Sequence, residues 1–321
     1  MPHGLFVACS EEYKRPPDAR ARSFKTGARS RRVKVVAGST GERVARALGQ
    51  ALKVEVLPVE RKRFPDGEGY VRVLADAKDE DVLLVQGTLP DPSLMELLLL
   101  QDALHRARAA SVTTVIPYYA YARQDRMFQP GESVSAQAVA ELIELKTDRV
   151  VTVDPHKEHI LGFFGVEAHA ASCVPEIAEW LRQEGADLVL APDKGALERA
   201  EAVAKALGAD VDHLEKTRLT GTEVRMSPKT LNVQGRSVAI VDDLISTGGT
   251  IATAAAELKR QGAARVVAAC THGLFVGGGL DRILQSGCDK VAAADTLDNP
   301  VPEIPCTPGI VRALRAAGLT R

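Results

Sequence analysis

VAIVDDLISTGGT, residues 238–250, is the stretch from which the fold can be read. An apolar, β-branched run ends in two adjacent carboxylates, Asp242 and Asp243, then gives way to a Ser/Thr/Gly loop and a helical pattern. A strand apolar on both faces that feeds a loop and then a helix is the repeating unit of a parallel, helix-covered sheet. The loop itself suits a phosphate. Gly248 and Gly249 allow close backbone approach, N–H groups can turn inward, and the following helix offers its positive end. Ser246, Thr247 and Thr250 add hydroxyl donors, whereas Asp242 and Asp243 would repel phosphate and suit sugar hydroxyls or a hydrated Mg²⁺. A phosphate and a ribose are therefore expected side by side. The plain alternative, a Thr-capped helix after a glycine turn, leaves the acid pair unexplained.

Outward from this loop, short β-branched runs alternate with helical stretches from Val33 onward. Strands are expected at 33–37, 54–59, 82–86, 112–117, 149–154, 188–191, 211–214, 238–242 and 266–270. Helices are expected at 42–52, 94–109, 196–207 and 250–261. The chain also repeats itself: ERVARALGQALKVEVLPVE (42–60) parallels ERAEAVAKALGADVDHLEK (198–216) in letter and in element order. A second echo sets the helix and strand ending at Pro117 beside those ending at Cys270. The expected architecture is two tandem doubly wound α/β domains with parallel sheets, residues 33–172 and 173–321. Residues 1–32 carry eight Lys or Arg against three Asp or Glu, with no apolar periodicity, and read as a flexible basic extension.

The balance of 41 Lys and Arg against 42 Asp and Glu gives no basic field for nucleic acid, so small acidic ligands would need a local cradle. Five scattered cysteines without CxxC spacing read as reduced structural thiols. The longest aliphatic run, at 97–100, is far short of a membrane span, and the first residues lack a secretory pattern. A cytoplasmic protein with neither membrane nor nucleic-acid partners is expected.

The 238–250 motif resembles the phosphoribosyl pyrophosphate loop shared by phosphoribosyltransferases and ribose-phosphate diphosphokinases. Further motifs resemble the diphosphokinases, in wording closest to the archaeal members. RFPDGEGYVRV (63–73) is similar to the family's nucleotide loop, which implies ATP contacts for Phe64, Asp66, Gly67 and Glu68. PYYAYARQDRMFQPGESVS (117–135) resembles its second ATP element, which implies phosphate and adenine contacts for Arg123 and Gln124. VTVDPHKEHILGFFG (151–165) resembles the metal segment, with His156 on the ATP-bound Mg²⁺ or its water shell and Asp154 supporting it. Chemistry alone would not choose histidine for Mg²⁺, and resemblance carries His156. APDKGALERA (191–200) places Asp193 as a second metal ligand; an N-cap aspartate is the alternative. LEKTRLTGTEVRM (214–226) matches the catalytic loop, with Lys216 and Arg218 on one side of an extended segment.

The resemblance implies phosphoribosyltransferase-like halves and transfer of the diphosphoryl group of ATP to ribose 5-phosphate. Arg218, Asp242, Asp243 and Ser246 to Thr250 would hold the sugar phosphate. It further implies a homo-oligomer whose ATP site is completed across a subunit interface. One departure stands out: MFQPGE follows Arg126 where regulated members carry basic residues, so weak or absent ADP inhibition through a separate site is expected. A phosphoribosyltransferase would have no use for the duplicated half. A non-catalytic relative would not be expected to keep Lys216, Arg218, His156 and Asp193.

Overall fold

Val35 and Val36 are neighbours in the first strand and both fully buried, yet they belong to different cores, because successive side chains leave a strand on opposite faces. Such a sheet needs helices on both sides. The computed structural model describes residues 32–218, 224–228 and 232–320. Its first half runs β1 (Val33–Ala37), α1 (Glu42–Leu52), β2 (Val56–Leu57), β3 (Val59–Arg63), β4 (Gly69–Val73), β5 (Asp81–Val85), α2 (Asp91–Arg106), β6 (Ser111–Ile116), α3 (Ser135–Ile143), β7 (Arg149–Val153) and β8 (Glu167–Ala171). The second half runs α4 (Val174–Gln183), β9 (Leu188–Ala191), α5 (Leu197–Leu207), β10 (Asp210–Arg218), β11 (Val224–Pro228), β12 (Ser237–Ile245), α6 (Gly249–Arg260), β13 (Arg265–Gly273), α7 (Gly279–Gln285), β14 (Lys290–Ala293) and α8 (Thr307–Ala316).

The first sheet has the order β2-β1-β5-β6-β7-β8 and is parallel throughout. The second has the order β11-β10-β9-β12-β13-β14, parallel except for β11 on its edge. The repeated segments occupy matching places: α1 and β2 stand to β1 as α5 and β10 stand to β9. Between the sheets lies one continuous core, in which α1, α4, α5 and α8 pack on the inner faces of both. The outer face of the first sheet is covered by α2 and α3, that of the second by α6 and α7.

Two local expectations change. The strand expected at 54–59 breaks at Pro58, which has no N–H for a ladder; β2 ends before it and β3 leaves to pair antiparallel with β4 as a separate hairpin. Strands β10, β12 and β13 run three or four residues beyond their expected ends, still paired within the sheet. The C-terminal helix α8 reaches across to α1, β7 and β8 as well as to α4. Gly309 permits this: a Cβ there would stand 2.4 Å from the Ser172 carbonyl, and Arg312 donates to that carbonyl at 3.0 Å and to Glu176 at 2.6 and 2.8 Å. Cys173, Cys270, Cys288 and Cys306 are buried free thiols, as expected of structural cysteines. Among the described residues no helix is long and apolar enough to cross a membrane.

Candidate active site

The cleft opens where β7, β9 and β12 deliver their carboxyl ends, and it encloses about 680 Å³. Parallel strands place all their following loops at one end of a sheet, so ligands collect there. The 246–250 loop forms one wall. Its carbonyls are drawn outward: that of Ser246 accepts from Val276 N–H at 3.0 Å, that of Thr247 from the Arg282 guanidinium, and that of Gly248 from Ala252 N–H at 2.9 Å. Because each peptide is planar and trans, the N–H across from an outward carbonyl points the other way, so this anchoring orients donors for an anion. Gly248 sits at φ 74°, and a Cβ there would stand 2.6 Å from the Gly279 carbonyl. At this position the loop can lie so close to α7 only without a side chain. At the matching place in the first half, after β5, the chain reads GTLPDP. Pro90 and Pro92 have no N–H to offer and Asp91 is anionic, so that loop cannot cradle phosphate.

Behind the loop stand Asp242 and Asp243. Burial and the charge of Asp243 push the Asp242 carboxyl up to about 8. Burial acts to raise Asp243 too, but hydrogen bonds from His156 and Asp242 outweigh it and hold its carboxyl well below the usual range. His156 Nδ1 lies 2.6 Å from Asp243 Oδ2, a contact between the two halves spanning 87 positions of sequence. Two carboxylates crowded this way, with Asp193 adding to the repulsion, form a site that a divalent cation or sugar hydroxyls would relieve. Among the described residues no three His, Cys, Asp or Glu side chains converge on one point. Mg²⁺ fits such an arrangement, since it takes one or two protein ligands and fills the rest of its shell with water and phosphate.

The structure brings Arg123, His156, Asp193, Asp242, Asp243, Ser246, Thr247, Gly248, Gly249 and Thr250 to this cleft. Asp193 caps the turn Lys194–Ala196, accepting from Gly195 N–H at 2.8 Å, so the capping alternative holds for one of its oxygens. Asp154 does not reach His156 as a supporting partner; its carboxylate is taken by Arg199, Thr271 and the Cys173 N–H. Phe64, Asp66, Gly67 and Glu68 form the tip of the β3–β4 hairpin and do not line the cleft. Phe64 is 48% exposed, with its ring centroid 6.2 Å from that of Tyr70 in a T-shaped arrangement. Gln124 also turns aside, donating to the Arg126 carbonyl and to Glu132 at 3.2 Å each. The Lys216 and Arg218 side chains lie outside the described residues, though the backbone of both belongs to β10, opposite Met226 and Val224 of β11. Sequence reading passed over Arg199, on the cleft-facing side of α5; its spacing from the buried Ala200 and Val203 was a usable signal.

Residues 33–146 match the family model described as the N-terminal domain of ribose phosphate pyrophosphokinase, and residues 168–298 match that of the phosphoribosyl transferase domain. Fold and site thus define a duplicated α/β protein of phosphoribosyltransferase type. A ribose-phosphate pyrophosphokinase of Methanopyrus kandleri is 43% identical over 87% of this chain and 98% of its own. That of Pyrococcus furiosus is 43% identical over 82% and 94%. The crystal structure of phosphoribosylpyrophosphate synthetase from Mycobacterium smegmatis superposes with a TM-score of 0.78 at 30% identity, covering 90% of this chain and 99% of its own. The chain belongs to the ribose-phosphate pyrophosphokinase family, and the two relatives just named are archaeal, as the motif wording implied.

Proposed function

We propose that the protein transfers the diphosphoryl group of ATP to the anomeric hydroxyl of ribose 5-phosphate, giving 5-phosphoribosyl 1-pyrophosphate and AMP, with Mg²⁺ as its divalent ion. The observation that carries this reading is the meeting of the outward-anchored 246–250 loop with the His156–Asp243 contact and Arg123 in one cleft. Ser246 to Thr250 bind the 5-phosphate, and Asp242 and Asp243 orient the ribose hydroxyls. The anomeric oxygen attacks the β-phosphorus; the bond from that phosphorus to the oxygen bridging it to the α-phosphate breaks, AMP leaves with that oxygen, and the hydroxyl proton passes to solvent. Lys216, Arg218 and Arg123 offset the charge that spreads over the transferred and leaving phosphates. His156 and Asp193 would hold Mg²⁺ or its water shell, and the bound ion would supply further neutralisation of the triphosphate.

The exposed Phe64 tip, which does not line this cleft, supports an ATP site completed by a second copy of the chain, with Phe64, Asp66, Gly67 and Glu68 serving the neighbour's cleft and Gln124 contributing beside Arg123. The working unit is then a cytoplasmic homo-oligomer without nucleic-acid or membrane partners. Each chain comprises a basic extension (1–32), an ATP-binding half (33–172) and a ribose 5-phosphate-binding half (173–321). Incubation with Mg²⁺, ATP and ribose 5-phosphate should yield AMP and phosphoribosyl pyrophosphate in equal amounts. Lys216→Ala should slow the reaction by roughly 10³-fold. No AMP from folded protein that still binds both substrates would defeat the proposal and favour a non-catalytic relative.

A further inference from the structure

An ion pair with a buried carboxylate crosses the seam between the halves beside the cleft, and the chemistry above makes no use of it. Asp154 directly follows β7 of the first sheet and is 7% exposed. Its Oδ1 lies 3.1 Å from Arg199 Nη1 on α5 of the second half. Its Oδ2 accepts from the Thr271 hydroxyl of β13 at 2.7 Å and from the Cys173 N–H at 3.1 Å. Its carbonyl is 3.2 Å from His272 Nε2. Arg199 Nη1 also approaches Thr271 Oγ1 at 3.4 Å, so one guanidinium nitrogen spans both partners. A carboxylate at this depth is tolerated only when its charge and its lone pairs are met.

Asp154 is also one of the few non-glycine residues in the left-handed region, at φ 36°. Such a backbone persists only where its surroundings hold it. The consequence lies two residues on: the turn sends His156 out of the first half and onto Asp243 of the second, at 2.6 Å. We propose that Arg199 is a positioning residue for the diphosphoryl transfer proposed above, gripping Asp154 across the seam and so fixing the turn that carries His156 to Asp243. The inference rests on that functional reading. It does not require Arg199 to touch a substrate, although its side chain borders the same cleft.

The test compares full-length wild type, Arg199→Lys and Arg199→Met, each alone and combined with His156→Ala. Formation of AMP by the wild type is read first; its failure would remove the functional reading and this inference together. With an active wild type, Arg199→Met should lower kcat about 10- to 100-fold, as loss of a group supporting a metal-site residue typically does. The ribose 5-phosphate Kd should stay within about twofold, because loop 246–250 is not touched, and in the His156→Ala background the same change should cost less than about threefold. In metal-free protein, nitrogen-15 spectra should show the His156 ring losing its Nδ1 hydrogen bond. A full loss that persists without His156, a tenfold weaker ribose 5-phosphate, an unchanged kcat, or an unaltered His156 ring would each overturn the proposal. Arg199→Lys keeps the charge and the fold should Arg199→Met not accumulate; it has lost the planar fork and should show the same dependence on His156 with a smaller loss.

Discussion

Gly248→Ala tests the phosphate loop through its geometry. At φ 74° the alanine would pay roughly 1 kcal/mol for the left-handed backbone. Its Cβ would also stand 2.6 Å from the Gly279 carbonyl and 2.9 Å from Ile283 Cδ1. Ile283 can rotate, but the carbonyl belongs to α7, and Gly279 is itself pressed on Thr247, where a Cβ would stand 3.0 Å from the Thr247 carbonyl carbon. Relief requires loop and helix to separate, an overpacking cost of about 1–3 kcal/mol. The sum, roughly 2–4 kcal/mol, corresponds to a fall in Tm of about 3–6 °C for a chain of this size. Separation would also release the Val276 N–H from the Ser246 carbonyl and disorder the donors that meet the 5-phosphate. The KM for ribose 5-phosphate should therefore rise about tenfold or more while that for ATP changes little, as expected if one oriented anion contact worth about 1.5–3 kcal/mol is lost. Gly249→Ala is the control: its Cβ would meet nothing closer than Thr247 Oγ1 at 3.9 Å, and its Tm should stay near wild type. Thermal unfolding and steady-state kinetics on both variants decide the matter. A Gly248→Ala protein with wild-type Tm and wild-type KM would refute the argument that close approach to α7 shapes the loop.

Burial lowers the pKa of His272 below its ordinary value of 6.5, against the opposing pull of Asp154 and Asp243. The unfolded chain then binds more protons below about pH 6.5, so stability should fall as the pH drops through that value, and urea unfolding of His272→Gln should show a shallower fall. Glu132 accepts from the Phe128 and Gln129 N–H groups at 2.7 and 3.0 Å, which lower its pKa and keep an anion at the turn after Arg126. ADP inhibition should accordingly be weak and competitive with ATP; potent inhibition noncompetitive with ATP would defeat this. If the hairpin tip serves a neighbour's cleft, then mixing separately inactive Phe64→Ala and Lys216→Ala chains should restore part of the activity, whereas additive loss in the mixture would place Phe64 in its own chain's site.

Local sequence made several features legible. Alternating β-branched runs and amphipathic helices, the internal repeat, and the strand–acid pair–glycine loop at 238–250 are patterns contained within a few tens of residues, where periodicity and backbone stereochemistry act directly. Helix α1 matches its expected bounds, and the repeated segments hold matching positions in the two sheets. The parting of β3 from β2 was also available in principle, since Pro58 has no N–H, but the charged alternation of Val59–Arg63 hid a strand that serves a hairpin rather than a core. What only the tertiary structure decided lies at the seam. His156 and Asp243 are 87 positions apart, Thr271 and Asp154 117, and α8 folds back onto α1, β7 and β8 of the half in which the chain began. No periodicity records such pairings, because they arise from two sheets sharing one layer of helices, and that layer sets which loop faces which. Asp154 shows the same limit on the smallest scale. Aspartate tolerates a left-handed backbone without marking one; Arg199, Thr271 and Cys173 hold it there only once both halves have closed around it.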